Sequence, residues 1–301
     1  MNPQYSNYQL HAKIDYMEQF IDLDSFIRGD KNTPDQIYAY YKLNHLIYRL
    51  HHSQEGFMHF RVSQNGCFTD EDIYYQPDFI AKYIRKGDNV LELGSGQGAN
   101  LLYLAHSFPS ARFTGLDLSE YKGLDQPDNA RFFQMDYSDL RRFKDSSFDV
   151  IYAIETLVHA KDKEKVLREV KRVLKPGGRI IYYDYALSAD YNTFDAHVQK
   201  AIALISKGGA AAMIESEEQL RTHFRNVGFT QVHDADLSRE TLPDLRHLER
   251  KAHRILKRPK VAEAVFQVLP ERLVSNIILG YLGFDSCNAG VITYQEWVFR
   301  K

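Results

Sequence analysis

The stretch Val90-Leu91-Glu92-Leu93-Gly94-Ser95-Gly96-Gln97-Gly98-Ala99-Asn100 decides how the rest of the chain is read. A short apolar run enters a glycine turn, and a helical pattern, Asn100-Leu101-Leu102-Tyr103-Leu104-Ala105, leaves it. Gly94 and Gly96 can take backbone angles closed to other residues and carry no side chain to hold a ligand away. The free N–H groups of the helix point back toward the same place. Strand, glycine turn and helix in this order predict a nucleotide or nucleoside site on an α/β fold. By itself the spacing Gly94-x-Gly96-x-x-Ala99 also satisfies the dinucleotide fingerprint, so it leaves the ligand open.

Working outward narrows the choice. Ala111 to Asp117 reads as a second strand ending in an acid 23 residues beyond Gly94. A carboxylate there can accept hydrogen bonds from both ribose hydroxyls. A third strand, Ala130 to Met135, ends in Asp136-Tyr137. An NAD site has no use for an acid at that point, whereas an adenine amino group needs an acceptor there. A fourth strand, Phe148 to Ala153, runs into Ile154-Glu155-Thr156-Leu157-Val158-His159. A helix ending at Leu174-Lys175-Pro176-Gly177-Gly178 then leads to a fifth strand, Arg179 to Asp184.

This series closely resembles the class I S-adenosylmethionine (SAM)-dependent methyltransferases over residues 75–235. Two segments, FDVIYAIETLVHA from Phe148 and VLKPGGRIIYYDY from Val173, are similar to the sterol C-methyltransferase and tocopherol methyltransferase group. Upstream, Tyr40-Tyr41 followed by Gly56-Phe57-Met58-His59-Phe60 resembles that group's N-terminal lid. The end of the chain, Ala289-Gly290-Val291 to Arg300-Lys301, resembles its last strand. The resemblance implies a Rossmann-like α/β fold, a seven-stranded mostly parallel sheet with helices on both faces. Around it the expected parts are a helical lid (1–75), a SAM-binding core (76–235), a helical insertion covering the active site (236–290) and a last sheet strand (291–301).

The expected cofactor residues are Glu92, Gly94, Ser95, Gly96, Gln97, Gly98, Asp117, Leu118, Asp136, Tyr137 and Ile154. The glycines would admit the methionyl and ribose parts of SAM, whose product is S-adenosylhomocysteine. Glu92 would hold the ammonium directly or through water, Asp117 the ribose and Asp136 the adenine amino group. A methyl sulfonium is already activated, so the protein's task is to align donor and acceptor and exclude water. If the acceptor is an alkene, methylation leaves a carbocation that aromatic faces can stabilise and a base must quench. Glu155, His159 and Asp184, all at carboxyl ends of strands, are the candidate catalytic groups. They match the family's Glu…His pair and the acid of its Tyr-Glu-Trp motif.

Tyr40, Tyr41, His51, His52, Phe57, His59 and Phe60 are candidates for substrate or lid contact. One departure bears on the acceptor. Sterol methyltransferases carry an acidic aromatic stretch where this chain reads Leu50-His51-His52-Ser53-Gln54-Glu55, which weighs against a sterol. The histidine pair suits either a general base for O- or N-methylation or a solvated helix position. Adjacent residues do not share a helix face, so the pair is not expected to ligate one metal. No Cys, His, Asp or Glu group shows a metal-ligand spacing, and no metal is expected.

Bulk properties agree with a small-molecule enzyme. The net charge of −2 argues against nucleic acid, whose phosphates need a basic face. The basic stretch from Arg246 to Lys260 has intervening acids and reads as a solvated face, with contact to an anionic membrane as the alternative. Cys67 and Cys287 make no disulfide framework, which suits a reducing cytoplasm. No apolar run reaches the length of a membrane span, and the N-terminus has no signal core. Val261, Ala264, Val265, Val268 and Leu269 recur at helical spacing and predict amphipathic cover rather than a separate domain. The expectation is SAM-dependent methylation of a small apolar metabolite at carbon, isoprenoid or lipid-like. O- or N-methylation of a natural product is the close alternative and an NAD-dependent oxidoreductase the distant one.

Overall fold

Leu91 and Leu93 need burial on one side of a strand and Val90 on the other, which only the middle of a covered sheet provides. In the computed structural model, β1 (Asn89–Leu93) holds that position. The structure describes residues 7–29, 53, 55–121, 123, 126–211 and 213–301. The expectations for Tyr40, Tyr41, His51 and His52 lie outside them.

β1 pairs in parallel with β2 (Arg112–Asp117) on one side and β4 (Phe148–Ile154) on the other. β3 (Ala130–Gln134) extends the sheet beyond β2, and β5 (Leu174–Leu187) extends it beyond β4. β7 (Ile292–Arg300) runs antiparallel between β5 and β6 (Thr230–Asp236), giving the order β3-β2-β1-β4-β5-β7-β6. Chain order reverses between β1 and β4, so a crevice opens at their carboxyl ends.

Two apolar layers cover the sheet. Val90, Phe113, Val150, Ile181 and Val298 pack under α3 (Tyr75–Ala81) and α4 (Ala99–Ser107). Leu91, Ile151, Tyr182 and Trp297 pack under α5 (Lys163–Val173) and α7 (Glu217–Val227). Local chemistry ends these helices where it should. Ser216 and Gln219 form a reciprocal capping box, and Gly228 closes α7 in the left-handed conformation. One boundary differs from expectation. α5 stops at Val173, and Leu174 already pairs with Phe148, because the neighbouring strand claims the backbone that a longer helix would need.

A third apolar body joins the N-terminus to the insertion. α1 (Tyr8–Glu18) buries Leu10, Ile14 and Met17 in the cluster that contains Ile202 and Ile205 of α6 (Ala196–Gly208) and Ile278 and Leu282 of α10 (Glu271–Asn288). Lys13 of α1 forms ion pairs with Glu249 at 2.9 Å and Asp285 at 2.6 Å. α2 (Leu23–Arg28) follows on the same side. The insertion consists of α8 (Ser238–Leu256), α9 (Pro259–Val268) and α10. α8 and α10 meet closely because a Cβ on Gly280 would stand 3.6 Å from the Ala252 methyl group.

Of the expected stripe on α9, Leu269 packs against the third apolar body, whereas most of the rest covers nothing among the described residues. Val261 is 44 % exposed and Val268 80 %, and Ala264 is exposed too. The helix is seated instead by Ala262, fully buried, and by Phe266, which stacks on Phe20 at 5.6 Å. The larger ring won the buried side.

Trp297 should be a test of the sheet's packing. It is fully buried, stacked on Tyr182 at 5.4 Å and covered by the Arg221 guanidinium at 4.2 Å. Trp297→Ala is expected to cost about 3–5 kcal/mol in urea unfolding, the range for deleting a large buried aromatic. A loss below about 1 kcal/mol would contradict that placement.

Candidate active site

The crevice at the carboxyl ends of β1 and β4 is a cavity of about 570 Å³. Its first wall is the glycine turn. Gly94 and Gly96 have φ of +67° and +51°, angles that L side chains rarely adopt. A Cβ on Gly94 would also overlap the Thr156 hydroxyl. Backbone bonds stretch the turn toward β2: Ser95 N–H donates to the Leu116 carbonyl at 2.8 Å. Asp117 finishes the job, its Oδ2 accepting from Gly96 N–H at 2.8 Å and its Oδ1 from Ser119 N–H at 2.8 Å.

Of the expected cofactor residues, Gly94, Ser95, Gly96, Gln97, Asp117, Leu118, Asp136, Tyr137 and Ile154 line the cavity. Asp136 is exposed and accepts from Ser138 N–H at 2.7 Å, while Tyr137 donates its hydroxyl to the Thr156 carbonyl at 2.8 Å. Two expectations need correction. Gly98 does not line the cavity; it starts α4 in the left-handed conformation, where a Cβ would strike the Phe132 ring. Glu92 does not line it either. Strand alternation turns its side chain to the α4 face, between Leu91 and Leu93 on the other. It is buried beside Asn100 and Tyr152, and its Oε2 has no hydrogen-bond partner among the described residues. Burial raises its carboxyl well above the usual value, against the pull of the Tyr152 hydroxyl and Asn100.

The segment before α3 lies across this turn. A Cβ on Gly56 would stand 3.3 Å from Gln97 Cβ, and one on Gly96 would meet the Met58 sulfur at 3.3 Å. Met58, His59 and Phe60 line the cavity. Buried His59 places Nε2 3.0 Å from Asn100 Oδ1 and Nδ1 3.1 Å from the Phe60 carbonyl. Phe57 turns away and packs with Ile73 and Ala99.

The three candidate catalytic groups meet different fates. Glu155 sits at φ +49°, a left-handed angle for a non-glycine residue. Its Oε1 accepts from Phe60 N–H at 2.7 Å and from the Tyr294 hydroxyl at 2.9 Å. Burial pushes its carboxyl up to about 8, with the Phe60 N–H as the main opposing influence. It is therefore mostly protonated at neutral pH. His159 lines the cavity and donates Nδ1–H to the Ala210 carbonyl at 3.1 Å, which makes Nε2 the acceptor nitrogen. Burial lowers its pKa to about 4, so the ring is neutral. Asp184 is fully buried and does not line the cavity. Alternation along β5 gives the cavity Tyr185 and turns Asp184 to the Tyr182 side. Its oxygens accept from Val158 N–H at 2.9 Å and Tyr185 N–H at 3.1 Å. Asp184 is thus placed to hold the loop that carries His159, and its expected place on the cavity floor is corrected.

The sequence reading missed several lining residues. Thr156, Met58 and Tyr294 face the crevice, and α8 and α10 contribute Thr241, Leu245, Leu248, Ile255, Ile277 and Gly280. Thr241 to Ile255 is one helix face about 21 Å long at 1.5 Å per residue, so an apolar limb runs away from the glycine turn. A metal-like grouping exists elsewhere. His11, Asp195 and His197 bring ligand atoms within 4.8 Å of one another where α1 meets the start of α6, away from the cavity.

Buried carboxyls give the protein a pH signature. Glu155 rises from an ordinary 4.5 to about 8 and Asp184 from 3.8 to about 7, burial being the main cause in both. Each binds its proton more tightly folded than unfolded. The stability they contribute is complete below the unfolded values and is lost as pH rises through about 7 to 8. Urea unfolding from about pH 5 to about pH 9 should show stability falling, by at most about 1.4 kcal/mol per pH unit for each group. Glu155→Gln should flatten the slope; an unchanged slope would mean that Glu155 is ionised throughout.

Residues 91–182 match the methyltransferase domain family. A sterol 24-C-methyltransferase from Pneumocystis carinii is 31 % identical over 171 residues, 53 % of this chain and 44 % of that protein. The cycloartenol-C-24-methyltransferase 1 of Oryza sativa subsp. japonica is 29 % identical over 70 % of this chain and 63 % of its own. The 27-O-demethylrifamycin SV methyltransferase of Amycolatopsis mediterranei is 31 % identical over 53 % of this chain and 60 % of its own. The chain spans about half the length of the sterol relatives it matches. Among solved structures, a cyclase superposes with a TM-score of 0.66 at 20 % identity, covering 89 % of this chain and 96 % of that one. The geranyl diphosphate C-methyltransferase of Streptomyces coelicolor A3(2) gives 0.65 at 15 % identity, over 90 % and 98 %. The fold is that of the class I methyltransferases, residues 91–182 match their domain, and in sequence the chain resembles the sterol C-methyltransferase group.

Proposed function

We propose that this protein transfers a methyl group from SAM to a carbon atom of a small apolar acceptor, isoprenoid or lipid-like. The carrying observation is the cavity itself, in which a glycine-turn limb fit for a nucleoside joins an apolar limb along α8 and α10. The residues suit SAM on structural grounds. Gly94 and Gly96 leave room where side chains would stand, and Asp117 and Asp136 face the cavity. When bound, SAM supplies a methyl group on a sulfonium, a donor that needs no further activation.

The protein's own groups do the rest. The backbone of Gly94 to Gln97 seats the donor, Asp117 takes the ribose and Asp136 the adenine amino group. Segment Gly56 to Phe60 excludes water, tied down by the Glu155 carboxyl. Phe60, Tyr185 and Tyr294 offer aromatic faces to positive charge developing on the acceptor. His159 Nε2 takes the proton that the methylated acceptor must lose. A proton next to a carbocation is so acidic that a base with a pKa near 4 removes it, and that low value keeps the ring unprotonated. Oxygen and nitrogen acceptors favour a base nearer neutrality. Methylation at oxygen is the second reading, supported by the similarity to the rifamycin relative. We place the reaction in a reducing cytoplasm, where the free Cys67 and Cys287 persist.

Incubation with labelled SAM and a lipid extract should put the label on a carbon of an apolar product. A label on oxygen or nitrogen would overturn the carbon assignment. His159→Ala should slow turnover about 10²–10⁴-fold, the range for a lost general base, with SAM affinity nearly intact. Full activity would remove His159 from catalysis. Asp117→Ala should weaken SAM by about 1.5–3 kcal/mol in calorimetry, as for a lost charge-assisted hydrogen bond. Tight NAD binding with no SAM heat would sink the whole assignment.

A further inference from the structure

The outward stripe on α9 has no partner among the described residues. Val261, Ala264, Val265 and Val268 stand at i, i+3, i+4 and i+7, one face of the helix, and all but half-buried Val265 are exposed. The opposite face is anchored by Ala262 and Phe266, which fixes the direction in which the stripe points. Immediately beside it, Lys257 and Arg258 occupy the turn into α9, Lys260 its first turn, and Arg254 the last turn of α8. All four are exposed, and none forms an ion pair among the described residues. Glu263 is the single acid within α9.

We propose that α9 and the basic turn before it dock this protein on an anionic membrane surface. A short helix with an apolar face and flanking cations lies in the plane of the lipid headgroups, apolar side down. Valine side chains leave water, and the cations meet lipid phosphates instead of remaining solvated. Neither gain is available from the apolar face of another protein, which would leave four positive charges unanswered. Position adds a functional consequence, which rests on the proposed acceptor. α9 links the end of α8 to the start of α10, and Ile255 and Asn276 on those helices are the cavity-lining residues nearest to it in the chain. Docking there brings the apolar limb to the bilayer, where a lipid-like acceptor resides.

The test is co-sedimentation with vesicles of phosphatidylcholine alone or with a third phosphatidylglycerol, near physiological salt. The protein should bind the mixed vesicles and not the neutral ones. The triple variant Lys257→Gln, Arg258→Gln, Lys260→Gln should lower partitioning on the order of a hundredfold, several-fold for each cation near an anionic surface. The double variant Val261→Asp, Val268→Asp should abolish binding without moving the thermal midpoint. SAM affinity should be unchanged in both variants, which separates this proposal from the fate of the reaction assignment. Absence of vesicle binding, or equal binding by the triple variant, overturns the proposal. So does self-association that Val261→Asp, Val268→Asp removes while vesicles are ignored, since a second copy would then be the occupant.

Discussion

One carboxyl group joins three distant parts of the chain at the site. Glu155 Oε1 accepts from Phe60 N–H in the segment before α3 and from the Tyr294 hydroxyl in the last strand. Its backbone takes a left-handed turn to leave β4 at that point. A carboxylate buried there would cost several kcal/mol, so the group keeps its proton and acts as a neutral clamp. The cover over the glycine turn, the end of β4 and the inner face of β7 are therefore set by the same side chain. Removing it would loosen the cover and the acceptor side together.

Around that clamp the two halves of the cavity are built by different means. The donor half is backbone: glycines, N–H groups and acids held in place by N–H donors. Such a wall needs no packing partner and sits at the edge of a rigid parallel sheet. The acceptor half is side chain, assembled where α8 and α10 approach at Gly280 and Ala252. Helix-borne walls can be recut by single substitutions without touching the donor half. That division explains how one fold holds both a cyclase and methyltransferases among its structural neighbours.

The same division governs what could be read from the sequence. The glycine turn, Asp117 and Asp136 were legible because each lies within a few residues of the strand that positions it. Where a side chain's direction mattered, pattern was not enough. Asp184 and Glu92 stand at or near carboxyl ends of strands, yet strand alternation turns both away from the cavity. On α9 the spacing grouped Val261, Ala264, Val265 and Val268 on one face, but Leu269, expected with them, joined Phe266 and Ala262 in a competing, inward-packed stripe. Which stripe is buried depends on Phe20, far away in sequence. Tyr294 gave no signal at all, since an apolar alternating strand looks alike whichever of its residues meets a ligand.

His159 shows how placement selects chemistry. Its ring is oriented through Nδ1 by the Ala210 carbonyl, and its loop is held from below by Asp184 through Val158 N–H. Asp184 bonds to backbone N–H groups rather than to the ring, so it does not stabilise an imidazolium as the carboxylate does where a histidine activates a hydroxyl nucleophile. Burial, with the Lys163 ammonium adding to it, depresses the ring's basicity. A site that deprotonates a hydroxyl or an ammonium gains from a carboxylate bonded to its base. Under the proposed carbon methylation the demand is weaker, because a proton beside a carbocation passes even to a weak base, and a base with a low pKa is still unprotonated when the cation forms. The depressed pKa of His159 thus fits the proposed methylation at carbon better than methylation at oxygen.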